Sequence, residues 1–168
     1  VNRPDVSPRE LLGTWELARR IEDRRAQEIL HVAGGTELAL REDGRIVWTE
    51  WGTLTRGEAS APPIPVRREL LIERRGTPHE RRNAGLEDAP SPAESAAVQE
   101  SQWMVCFSDG RDFHPWAPGR AVVHPCGSDR YDGIIDVRDD GTWTVTWDVT
   151  GPAKDLRIIS RLRRPDAA

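Results

Sequence analysis

Between Trp103 and Arg163 the chain reverses at Ser108-Asp109-Gly110, Pro118-Gly119, Asp139-Asp140-Gly141 and Gly151-Pro152, and the segments between these turns alternate apolar with polar residues. Trp143, Val145, Trp147 and Val149 occupy one face of such a segment, with threonine and aspartate between them. A period of two is that of a strand with one buried face. Asp-Gly turns join neighbouring strands as tight antiparallel hairpins, and spacing this short leaves no room for crossover helices. The chain is therefore constrained to an antiparallel sheet that meanders in sequence order.

The first half follows the same rule. Ser7-Pro8-Arg9-Glu10 reads as a helix start, with Ser7 as cap, Pro8 in the first helical position and Glu10 three residues after the cap. Gly13 ends that helix after a turn or two. Residues 14–21 then alternate, with Trp15, Leu17, Arg19 and Ile21 in one row. Residues 36–41 lead through Glu42-Asp43-Gly44 into a strand over 45–53, and residues 66–74 form a more polar strand expected at an end of the sheet. Residues 76–101 are rich in Pro, Ser, Ala and Glu without any period, which predicts a disordered inserted loop. About nine or ten sequential strands with one short N-terminal helix predict an all-β, antiparallel barrel, since closure removes exposed edges.

At 168 residues the chain suffices for one domain with a full core, expected to span 1–168. Its 24 basic and 28 acidic residues are interspersed, giving a net charge of -4, so the one-sided basic surface that nucleic acid requires is missing. No apolar run approaches the roughly 20 residues of a membrane span, and the N-terminal residues have no apolar signal core. These features predict a soluble, cytoplasmic protein. In that compartment Cys106 and Cys126 are expected to remain reduced. Lys154 is the only lysine, a bias typical of a GC-rich bacterial genome.

Leu12-Gly13-Thr14-Trp15, opening the first strand after a short helix, resembles the Gly-X-Trp signature of lipocalin-like (calycin) barrels. The resemblance implies that Trp15 plugs one end of the barrel beneath an arginine of the last strand, Arg161 or Arg163. The blocks GTWELARRIEDR, FSDGRDFH, HPCGSDRYDG and WDVTGPAKDLRIISRLRR are together similar to a bacterial lipocalin-like family catalogued as a domain of unknown function. That likeness implies a fold and no reaction. Leu156 stands where the family's last block suggests an aromatic.

Candidate site residues concentrate between Trp103 and Tyr131. Arg111 and His114 follow an Asp-Gly turn; one reading sends either into the barrel mouth, and the other pairs Arg111 with Asp109 or Asp112 and leaves His114 on the surface. His124, Asp129 and Tyr131, with His114, are the candidate acid/base groups; the alternative for Asp129 is an Asx turn. His114, His124 and Cys126 offer a weak metal alternative, lacking the usual ligand spacings. Arg19 lies in an otherwise apolar row and so must point inward to a partner, either a carboxylate such as Asp129 or Asp136 or the acidic group of a ligand. Trp143, Trp147 and Lys154 complete the candidate ligand contacts. A lysine stripped of water could form a Schiff base, against the simpler reading of an exposed turn lysine.

Two functions follow from one pocket: binding of an apolar small molecule bearing an acidic or carbonyl group, or cofactor-independent catalysis by a cyclase, isomerase or lyase. A structural interaction module is the third reading, expected if the barrel is filled.

Overall fold

The computed structural model describes residues 2–57, 61–76 and 103–166. The loop expected at 76–101 lies, apart from Gly76, outside the described residues. Among the described residues ten strands form one antiparallel sheet: β1 (Gly13–Asp23), β2 (Glu28–Leu40), β3 (Ile46–Arg56), β4 (Ile64–Arg74), β5 (Trp103–Phe107), β6 (Asp112–Pro115), β7 (Ala121–Cys126), β8 (Asp129–Val137), β9 (Trp143–Thr150) and β10 (Asp155–Arg163). Their order is β6-β5-β4-β3-β2-β1-β10-β9-β8-β7. The sheet curls until its two end strands meet, and there the Phe113 and His124 rings lie 4.9 Å apart. The result is a nearly closed barrel whose first and last strands pair, Leu17 opposite Leu162 and Arg19 opposite Ser160.

Three sequence expectations change. The N-terminal helix is a single 3-10 turn, Pro8–Leu11, held by the full capping box of Ser7 and Glu10. Strand β2 begins at Glu28, eight residues before the expected start at Thr36. Gly34 and Gly35 look like a break in the sequence, yet here they permit close pairing: a Cβ on Gly34 would lie 2.0 Å from the Trp51 carbonyl oxygen. Strand β4, expected at a sheet end, sits between β3 and β5. Its charged residues divide between the faces: Arg68 shares the inward row with Leu70 and Ile72, while Arg67 and Glu69 are exposed.

Packing along the barrel axis is uneven. One end is plugged by four indoles, with Trp143 at 5.8 Å from Trp15, 5.4 Å from Trp48 and 6.4 Å from Trp116. The N-terminal segment seals this end, its Leu11 and Val6 carbonyls accepting from Trp15 and Trp116 Nε1, each at 2.8 Å. The Trp15 face is covered by Arg164, whose guanidinium carbon is 3.8 Å from the ring centroid and whose Nη2 donates to the Leu12 carbonyl at 2.9 Å. This corrects the assignment to Arg161 or Arg163: Arg164 follows the end of β10, where the chain is free to fold back over the indole, while Arg163 pairs outside with Glu16 at 2.5 Å.

Towards the other end the inward apolar residues are incompletely covered. Ile21, Phe107, Phe113, Tyr131, Leu156 and Ile158 are all only half-buried. These inward apolar side chains still meet solvent, so the lumen is less completely packed here than at the indole plug. Among the described residues no helix is long and apolar enough to cross a membrane.

Candidate functional site

Between the indole plug and the open mouth lies a polar layer built by strand register. Trp15, Thr36, Glu50 and Arg68 are cross-strand partners on β1, β2, β3 and β4. Arg19, two inward positions further along β1 beyond Leu17, reaches across to this row. Its Nη2 donates to Glu50 Oε2 at 2.7 Å and its Nε to Ser160 Oγ at 2.7 Å. Arg68 Nη2 lies 2.8 Å from the same Glu50 oxygen. Two guanidinium groups thus share one carboxylate, leaving an excess of one positive charge.

Arg19 accordingly faces the interior as its row requires, but its carboxylate partner is Glu50. Neither Asp129 nor Asp136 is in reach: Asp129 is paired with Lys154 at 2.6 Å, and Asp136 accepts from Asn2 at 2.8 Å on the outer face. The Glu50 side chain is only 4% exposed and that of Arg19 15%, whereas that of Arg68 is 39% exposed. Burial lowers the Arg68 proton affinity, Glu50 opposes that, and Arg19 adds to it; an arginine nevertheless keeps its charge. Among the described residues, Glu50 Oε1, Arg68 Nε and Thr36 Oγ1 are buried without a hydrogen-bond partner. A cavity of about 70 Å³ opens onto this layer, with Leu17, Arg19, Val32, Glu50, Val66 and Arg68 among its walls.

His114 belongs to the same interior. It is 3% exposed, which rules out the surface position. Its Nδ1 lies 2.8 Å from the Pro115 carbonyl oxygen. A carbonyl only accepts, so Nδ1 carries the proton and Nε2 is left as an acceptor. Burial pushes the imidazole down to about 4, and the nearby Arg68 charge adds to this against the Pro115 hydrogen bond. Near neutrality the ring is uncharged.

At the mouth, His124 sits among rings, 5.6 Å from Phe107, 4.9 Å from Phe113 and 6.0 Å from Tyr131. Asp129 holds the Lys154 ammonium, which also donates to the Tyr131 hydroxyl at 3.3 Å. The Asp129 hydrogen bond, then that of Tyr131, raises the Lys154 pKa. Of the two readings of Lys154, a half-exposed ammonium ion-paired with Asp129 fits the turn lysine and not a lysine stripped of water. Asp129 and Tyr131 are linked through Lys154, and His124 meets this group only by ring contact.

The remaining candidates separate. Arg111 is 78% exposed and paired with Asp109 at 2.8 Å, outside the lumen. Trp143 is fully buried in the plug and offers no face to a ligand. Trp147 lies over Gly133, stacks on Phe113 at 5.1 Å and forms part of the inner wall. Cys106 and Cys126 are free thiols, the first buried on the outer face beside Val47 and Leu71, the second exposed. Among the described residues no three His, Cys, Asp or Glu side chains converge on a metal position, so His114, His124 and Cys126 do not form one. A wider depression of about 510 Å³ beside Asn2, Asp136 and Arg138 is a surface feature away from the lumen.

Glu50, Arg68 and Thr36 are absent from the sequence-derived candidates. The signal was the one that singled out Arg19: a charge in an apolar row, here Glu50 after Ile46 and Trp48, and Arg68 before Leu70 and Ile72.

A family of unknown function (DUF6314) matches this sequence over residues 11–82 and 79–164. No curated protein matches it. Among solved structures, the S-type phycobiliprotein lyase CPES from Guillardia theta is similar with a TM-score of 0.58 at 8% identity, over 97% of this chain and 95% of that one. A de novo designed fluorescence-activating β-barrel gives a TM-score of 0.40 at 17% identity, over 92% and 93% of the two chains. At 8% identity the first likeness establishes a shared barrel fold.

Proposed function

The chain belongs to DUF6314, a family of unknown function, and we propose that its barrel binds a small apolar molecule bearing an acidic group, with the acid at the Arg19–Glu50–Arg68 layer. The observation that carries this reading is the pairing of an incompletely covered apolar wall with a buried layer holding one excess positive charge. A barrel with no ligand to receive gains nothing from half-exposed phenylalanines, and holding a second, partly exposed arginine against one buried carboxylate costs desolvation that an incoming anion offsets. The cavity at the layer has room for a head group, and the apolar body extends towards Phe107, Phe113 and Trp147. Lys154 and Tyr131 stand at the rim, where a long ligand passes them.

The test is displacement of the anionic fluorophore 1-anilinonaphthalene-8-sulfonate by decanoate and by 1-decanol. Decanoate should displace it at lower concentration than the alcohol. In Arg68→Met decanoate should weaken by roughly 10-fold or more, the effect of a lost charge-assisted hydrogen bond, while the alcohol changes little. Failure of the fluorophore to enter the barrel, or equal displacement by acid and alcohol, defeats the proposal.

A further inference from the structure

The polar layer is specific in a way that a plain carboxylate does not satisfy. Among the described residues, three adjacent strands present buried polar atoms of this layer without a partner: the Thr36 hydroxyl on β2, Glu50 Oε1 on β3 and Arg68 Nε on β4, with Trp48 Nε1 a second such atom on β3, at the indole plug. Arg68 Nε is a donor and requires an acceptor. Glu50 Oε1 is a carboxylate oxygen whose partner oxygen Oε2 is ion-paired with two guanidinium groups, and a carboxylate accepts. A simple fatty acid supplies an acceptor to Arg68 and then sets its own lone pairs against Glu50 Oε1. A buried acceptor left unpaired costs free energy, and two carboxylates in contact repel.

Resting on the lumen as a ligand site, we infer that its ligand is an apolar hydroxy acid, whose carboxylate accepts from Arg68 and whose hydroxyl, one or two carbons away, donates to Glu50 Oε1. The Thr36 hydroxyl is fully buried and is not among the cavity walls, so recognition rests on Arg68 and Glu50. The cavity of about 70 Å³ has room for such a head group, and the chain of the ligand then lies outside it. The charges agree: one excess positive charge in the layer is matched by a monoanion, and the added hydroxyl is neutral.

The experiment measures displacement of the same fluorophore from the full chain by decanoate, 2-hydroxydecanoate and 3-hydroxydecanoate. At least one hydroxy acid should bind roughly 10-fold more tightly than decanoate, the effect of one hydrogen bond to a charged acceptor. In Glu50→Gln decanoate should tighten, since a negative charge has left the layer, and the preference for hydroxy acids should fall below about threefold by loss of charge assistance. That opposed pair of changes is not expected from a merely structural glutamate. Should Glu50→Gln not fold, Arg68→Lys keeps the charge but lacks Nε, and it should weaken the acids while leaving 1-decanol unchanged. Equal binding of decanoate and both hydroxy acids overturns this inference and leaves the lumen reading standing. Absence of displacement by every acid overturns the lumen reading, and the inference with it.

Discussion

Arg19 shows how much one side chain can carry. Its Nε and Nη2 join Ser160 on β10 to Glu50 on β3, so it crosslinks strands on either side of β1. Arg19→Met should therefore destabilise the ligand-free protein by about 2 kcal/mol in urea unfolding, less than the cost of orphaning a buried charge because Glu50 retains Arg68. An unchanged midpoint would mean that the pair contributes nothing to folding. His114 makes a separate prediction. Its folded value of about 4 lies below the ordinary 6.5, so between those values the unfolded chain binds the proton and the folded chain does not. Stability from this group is complete above pH 6.5, falls as the pH drops, and has decreased by ~3 kcal/mol near pH 4. Urea unfolding of wild type and His114→Phe across pH 4.5–7 measures this directly, and the variant should show a flatter dependence. A wild-type slope that persists in the variant would assign the titration elsewhere.

At the scale of elements, the β2–β3 pair and the β6/β7 seam are the sensitive joints. A Cβ on Gly34 collides with backbone, the Trp51 carbonyl and the Gly52 Cα at 2.0 and 2.4 Å, and backbone cannot rotate aside as a side chain can. Gly34→Ala should cost about 3 kcal/mol and lower the thermal midpoint by several degrees; a neutral result would show that the two strands separate easily there. The seam has no backbone ladder between its strands, and it is closed by Phe113 between His124 at 4.9 Å and Trp147 at 5.1 Å. Phe113→Ala should cost about 3 kcal/mol and raise amide exchange along β6 and β7 more than along β1. Uniform exchange across the sheet would contradict the seam as the weak joint.

For the whole molecule, a ligand that binds only the folded barrel stabilises it by mass action, by about 2.7 kcal/mol at a hundredfold excess over its Kd. Thermal midpoints should rise with the concentration of an apolar acid and stay flat with short acids such as acetate, which reach the layer without covering the wall. Most of the barrel was legible in the sequence because turn chemistry and a period of two are local: Asp-Gly and Pro-Gly turns, the Trp143 to Val149 row and the Gly-Thr-Trp opening each act within a few residues. The same alternation determined that Arg19 must point inward. It could not name the partner, because Glu50 lies 31 residues away and meets Arg19 only through the β1–β2–β3 register. Nor could it place β4 inside the sheet, or choose Arg164 over Arg161 and Arg163 for the Trp15 face, since both depend on which backbone ends up beside which. What the sequence by itself determined was the succession of strands and the face each residue takes. Which charges converge, how many of them, and which buried atoms remain without partners were decided only when ten strands curled together, because the desolvation that gives those charges their meaning exists only inside the closed barrel.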